Sequence, residues 1–138
     1  MAYLLDTCVL SEGSKAEFNP SVAAWFEATP DDQRFASVLS LAEVQYGIFR
    51  MTQGRRRAQL GIWYENELLP MVEGRLITFG EAEAMEWALL RSVYPNTRYI
   101  DTQIAATAMA HNLTLVTRNV KDFAFAGLSL INPWSSEG

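Results

Sequence analysis

Short apolar runs and stretches with helical periodicity take turns along the whole chain, and this alternation leaves few architectures open. Residues 2–6 (AYLLD) are apolar without polar alternation, the mark of a strand buried on both faces. Further strands are expected at 34–39 (RFASVL), 75–79 (RLITF), 113–117 (LTLVT) and 127–131 (GLSLI). Between them lie helical segments. One runs from Pro20 to about Phe26, with proline suited to a first turn. The next begins at Ser40 and carries Leu41, Val44, Ile48 and Met51 at helical spacing. A longer one extends from about Arg55 to Leu69 and is ended by Pro70. Residues 80–92 and 101–111 complete the set, with Ala84, Trp87, Ala88 and Arg91 on one stripe, and Ile104, Ala105, Ala108 and Met109 on another. The stretch Ser11 to Pro20 reads as loop. The expected fold class is α/β: a mostly parallel, twisted sheet of about five strands with helices on both faces. Such sheets bind ligands at the carboxyl ends of their strands.

At 138 residues, 49% of them hydrophobic, the chain suits one domain over 1–138 with a real core. Its single cysteine, Cys8, excludes a disulfide framework and fits a reducing compartment. The N-terminus has no basic leader and carries an acid at position 6, so it reads as a strand rather than a signal peptide. No apolar run approaches the ~18 residues of a membrane span. A cytoplasmic protein with no membrane partner is expected. The net charge of −5 argues against a broad electrostatic grip on nucleic acid, but not against meeting phosphates through metal ions. Arg50, Arg55, Arg56 and Arg57 read either as a solvated helix face or as a phosphate or partner contact. Gly47, Gly54 and Gly61 do not make a phosphate loop.

The acids fall where chemistry is expected. Asp6 ends the first strand, and Glu43 lies in the first turn of the helix after the second. Asp101 opens the helix leading into the fourth strand, while Asn119 and Asp122 follow that strand. Carboxylates gathered at one edge repel one another, and divalent cations remove the conflict. Magnesium prefers hard oxygen ligands, and two such ions about 4 Å apart can activate water against a phosphodiester. Structural readings stand beside this one. Ser40-x-x-Glu43 has the form of a capping box. Asp101 also fits an N-cap or a first-turn acid matched to the helix dipole, and Asp122 an exposed loop acid. Asp6, with Val9 and Leu10 close behind, needs a partner for a partly buried charge. His111, the only histidine, reads as a helix C-terminal or surface residue; with no second histidine there is no zinc-type cluster. Cys8 reads as a small buried residue, and Trp25, Trp63, Trp87 and Trp134 as core or interface.

Four segments resemble a known family. YLLDTCVLSE is similar to the opening LLDTNVLSE of PIN-domain toxins of the VapC and FitB-like type. SLAEVQYGI resembles their second acidic motif, IDTQIAATAMAHNLTLVTRNVKDF their third and fourth, and GLSLINPW their closing strand. The resemblance runs in order through nearly all the chain. It implies a three-layer PIN-like fold and Mg2+- or Mn2+-dependent cleavage of RNA by metal-activated water. It implies Asp6 and Asp101 as the firmest metal ligands, with Glu43 as third acid, a ligand or the group that orients water. The fourth acidic place falls at Asn119, where the family carries Asp or Asn, with Asp122 close enough to share it. Thr7 and Thr117 would hydrogen-bond the acids, and Arg118 and Lys121 would hold flanking phosphates. A cognate antitoxin, an RNA substrate and a homodimer are the partners implied. The family's Asn after Asp-Thr is Cys8 here, and the loop before Asp101, SVYPNTRYI, is shorter than is common. These departures support one alternative: a catalytically weak module acting through antitoxin or nucleic-acid binding. A phosphate-accepting receiver domain would need a partner lysine that the sequence does not place.

Overall fold

A computed structural model describes residues 1–135; residues 136–138 of the expected domain lie outside them. The five expected strands form one sheet, shorter than the sequence suggested: β1 Tyr3–Leu5, β2 Arg34–Ser37, β3 Leu76–Ile77, β4 Thr114–Val116 and β5 Leu130–Ile131. Their order is β3-β2-β1-β4-β5, and every pairing is parallel. β1 is central, with Tyr3 opposite both Arg34 and Thr114. The chain winds outward from β1 in both directions, so the crevice between β1 and β4 is where such sheets take ligands.

Alternation along the strands builds two cores. Leu5 and Val116 join one apolar cluster with Val9, Leu10, Val44 and Ile48. Leu4 and Leu115 point to the other, with Ile104, Ala105, Ala108 and Phe123. All four strand residues are fully buried, as a sheet covered on both faces requires. Trp25, Trp63 and Trp134 pack against the first cluster, as expected of core or rim aromatics. Trp87 donates its indole N–H to Thr102 Oγ1 at 3.1 Å.

The helices are α1 Thr7–Glu12, α2 Pro20–Ala28, α3 Val38–Phe49, α4 Arg55–Trp63, α5 Leu69–Met71, α6 Glu81–Val93 and α7 Tyr99–Ala110. Four departures from expectation have local causes. The expected loop from Ser11 to Pro20 starts two residues late, because α1, which buries Val9, Leu10 and Glu12, runs on through Ser11 and Glu12. α3 starts at Val38, earlier than Ser40: Ser37 Oγ accepts from the Leu39 amide at 3.0 Å and is the true N-cap. The Ser40–Glu43 capping box therefore does not form, Ser40 is buried within the helix, and Glu43 sits in the second turn. The helix from Arg55 is not uniform. It widens into a π turn over Tyr64–Leu68 that buries Tyr64 and Leu68, and Pro70 falls inside α5 rather than ending the helix. A proline is tolerated there because the π turn, in which the Leu69 amide donates to Tyr64 O, has already shifted the hydrogen-bond register, and the helix ends one residue later at Met71. On α6 the buried residues are Glu83 and Leu90, while Ala88 is exposed, so the inward stripe is displaced from the expected one.

Candidate active site

Asp6 follows β1 at the switch point. Its amide donates to Val116 O at 2.9 Å, and its carbonyl accepts from Val9 and Leu10, so it is the N-cap of α1. An aspartate there normally caps with its side chain, but this one makes no such bond. The carboxylate, 4% exposed, turns instead to the neighbouring strand: Thr117 Oγ1 donates to Oδ2 at 2.7 Å. Thr117 follows β4 and is fully buried. Its hydroxyl also accepts from the Asn119 amide at 3.0 Å. The threonine thus ties the turn after β4 to the acid after β1, the role expected of it.

Thr7 does the same for Glu43. Its hydroxyl donates to Glu43 Oε1, fastening α1 to α3. Asp101 lies in the first turn of α7, whose N-cap is Arg98. It does not open the helix, but it is the first-turn acid of the alternative reading. Its carboxyl is pushed above the usual aspartate range, chiefly by burial. Arg98, at 4.0 Å, opposes this, and the charges of Asp122, Asp6 and Glu43 add to it. Asp101, at the carboxyl edge of the sheet, therefore feels three carboxylates from separate parts of the chain.

Asn119 is exposed, and the contact it makes to Thr117 uses its backbone. Asp122, in the 3₁₀ turn Val120–Phe123, is exposed and close enough to act on Asp101. Lys121 is exposed on the same turn. Arg118 lays its guanidinium over the Trp134 ring, 5.3 Å from its centroid, and its amide donates to Cys8 Sγ at 3.5 Å. Cys8 Sγ in turn donates to Asp6 Oδ2 at 3.5 Å. Burial, then the Asp6 charge, pushes this thiol up to about 11, so it stays protonated and is a weak donor rather than a nucleophile.

The donor set is all oxygen, with neutral hydroxyls behind it, and this chemistry fits a hard divalent cation. Among the described residues no three His, Cys, Asp or Glu side chains draw together into a ready ligand cage. The fit therefore rests on donor type and on the shared charge felt at Asp101.

Two buried acids escaped the sequence reading. Glu83 accepts from the Gly80 amide at 2.7 Å, capping α6, and its Oε2 meets His111 Nε2 at 2.7 Å. The signal was present as a glutamate three residues after a helix-starting glycine. Glu12 ends α1 at 2% exposure, accepts from the Asn19 amide at 2.9 Å and pairs with Lys15 at 3.0 Å. Nothing in its polar surroundings marked it. The arginine group proves partly structural: Arg57 Nε donates to Ile48 O at 3.3 Å and Arg56 Nη2 to Ser14 O at 3.4 Å.

A parallel sheet with acids at its switch point defines a class of α/β proteins with a carboxylate-edged site. The chain belongs to the PIN domain family, whose model matches residues 3–126. It is 36% identical to VapC ribonuclease Y4jK of Sinorhizobium fredii over 95% of this chain and 96% of that protein. It is 34% identical to Toxin FitB of Neisseria gonorrhoeae over 95% of this chain and 97% of that protein. Among solved structures it resembles FitAB bound to an IR36 DNA fragment, at a TM-score of 0.89 and 31% identity, covering 99% of this chain and 98% of that one. The fold and family expected from the four motifs are thereby met.

Proposed function

We propose that this chain is the toxin of a toxin–antitoxin pair and cuts RNA phosphodiester bonds with a divalent metal ion, Mg2+ or Mn2+. One observation carries the reading: the Asp101 carboxyl, raised by burial, also feels the charges of Asp122, Asp6 and Glu43 at the switch point of the sheet. Such a gathering costs stability unless a cation offsets it. Similarity to a VapC ribonuclease and to Toxin FitB supports RNA as the target and toxicity as the outcome.

The metal would be held by Asp6 and Asp101, with Glu43 as third acid and Asp122, or the neutral oxygen of Asn119, completing the set. Thr117 engages Asp6 Oδ2 and leaves Oδ1 to coordinate; Thr7 engages Glu43 Oε1 and leaves Oε2. These hydroxyls fix the carboxylates before any ligand arrives, which removes an ordering cost from binding. When bound, the ion supplies charge that activates water and stabilises the leaving oxygen. Glu43, with Oε2 left open by the Thr7 contact, would orient the water and accept its proton. Arg118, braced on Trp134, and Lys121 hold phosphates beside the cut. Met85, Leu89 and Val93, exposed at four-residue spacing on α6, support a face covered by a partner. The family resemblance makes the partners a second copy of the chain and an antitoxin.

Purified protein should cleave a mixed RNA pool with Mg2+ or Mn2+ and stop in EDTA. Asp6→Asn and Asp101→Asn should each reduce cleavage on the order of 100-fold or more while remaining folded. Full metal-dependent cleavage by Asp6→Asn would sink the assignment. The thiol on Asp6 Oδ2 favours one second reading, a module that binds but cuts weakly. That reading predicts little or no cleavage, and little or no heat on titration with Mn2+.

A further inference from the structure

Beside Asp101 lies a recess of about 350 Å³ formed by the α6–α7 connection and the 3₁₀ turn after β4. Tyr94, Asn96, Arg98, Lys121 and Phe125 line it together with the acids Asp101 and Asp122. We propose that this recess binds the base and phosphate of one nucleotide adjacent to the scissile bond of single-stranded RNA, and so sets cleavage preference; the inference rests on the ribonuclease reading above.

Its walls match that ligand in kind. Tyr94, half-buried and packed edge-on against the buried Phe125 with centroids 4.9 Å apart, gives the recess an apolar floor that a base edge can touch. Asn96 is exposed and offers both a donor and an acceptor to a base edge. Arg98 and Lys121 are exposed cations at the same opening, and Lys121 has no carboxylate within ion-pair distance among the described residues. Once the acids are neutralised by a metal, the recess carries net positive charge suited to a phosphate. The site is also preformed. Arg91 Nη1 donates to Thr97 O at 2.5 Å, and Thr97 Oγ1 to Tyr94 O at 2.9 Å. The Ala126 amide donates to the Tyr94 hydroxyl at 3.1 Å, joining the two walls. A splayed base fits such a recess, whereas a base within a duplex cannot leave its stack without cost.

The test uses Lys121→Ala and Asn96→Ala in the full chain, both at exposed positions. Binding of a short fluorescein-labelled single-stranded RNA of random sequence, with 2′-O-methyl and phosphorothioate linkages that resist cleavage, is followed by anisotropy in the presence of Mn2+. Cleavage by the parent and single variants is followed by sequencing the product ends. Lys121→Ala should weaken binding by about 5-fold and reduce the salt slope by about 0.7, the loss of one phosphate contact on a single strand. Asn96→Ala should change the base frequencies at one position next to the cut. Mn2+ affinity by calorimetry should stay at the parent value in both. The proposal is overturned if the parent binds and cuts RNA while Lys121→Ala keeps its salt slope and Asn96→Ala its base frequencies. It is equally overturned if the variants act only by lowering Mn2+ affinity. A parent that neither binds nor cuts RNA would instead remove the ribonuclease reading, and the recess would lose its assignment with it.

Discussion

Asp6 illustrates how one residue can be barred from its local role. At an N-cap it would normally take an amide of its own helix, yet its carboxylate is held by Thr117 from the next strand. Replacing Thr117 with valine removes the donor while preserving shape and leaves a buried carboxylate short of a hydrogen bond. The expected cost is about 1–3 kcal/mol, read from urea unfolding of the metal-free protein. Cys8 presents a protonated thiol to the same oxygen. Cys8→Asn substitutes a stronger amide donor, so the carboxylate should be better oriented and bind Mn2+ more tightly in calorimetry. An unchanged or weaker affinity would show that the thiol is not what limits the site.

At the scale of elements, α6 and α7 are joined by Glu83 and His111. The Glu83 carboxyl is held below the usual glutamate range, first by the Gly80 amide and then by the His111 contact. A depressed carboxylate contributes stability above its unfolded pKa, and that contribution is lost as pH falls through the lower folded value. Glu83→Gln should therefore lower stability near neutral pH and flatten the loss of stability on acidification. Thermal melts across this acid range would reveal a slope identical to the parent's if Glu83 did not carry the linkage. Ser37 sets the start of α3 and hence the position of Glu43. Ser37→Ala should cost about 1 kcal/mol, the value of a helix cap. It should also reduce cleavage by loosening Glu43.

For the whole molecule, the acidic edge sets stability against function. Asp101 is raised above its ordinary value, so the folded state holds its proton more tightly than the unfolded chain does. Stability then falls as pH rises from the unfolded pKa through the folded one, and the ionised group weighs against the metal-free fold at neutral pH. Asp101→Asn should raise the metal-free melting midpoint by on the order of a few degrees. The parent should gain stability as Mn2+ is added, following mass action, and the variant should lose most of that gain. A variant that melts below the parent without metal would contradict the electrostatic account.

Much of this protein can be read along the chain because its two periodicities are local properties. Leu4 and Leu5, or Leu115 and Val116, are buried whichever face each takes, so apolar runs identify the strands without knowledge of their order. The four acidic motifs are similarly local, and they give the family. Boundaries were less legible. Ser37 and Ser40 are both plausible caps, and only burial of Ser40 within α3 excludes the second. Pro70 looks like a helix stop until the π turn before it resets the hydrogen bonding. What tertiary structure alone decided was the company each acid keeps. The pairing of β1 with β4 brings Thr117 to Asp6 across 111 positions, and packing of α1 on α3 brings Thr7 to Glu43 across 36. The sequence determines which residues carry charge and which must be buried, since those follow from side-chain chemistry. Which charges meet depends on long-range strand order and helix packing, whose free energy is spread over the whole core rather than encoded in any one segment.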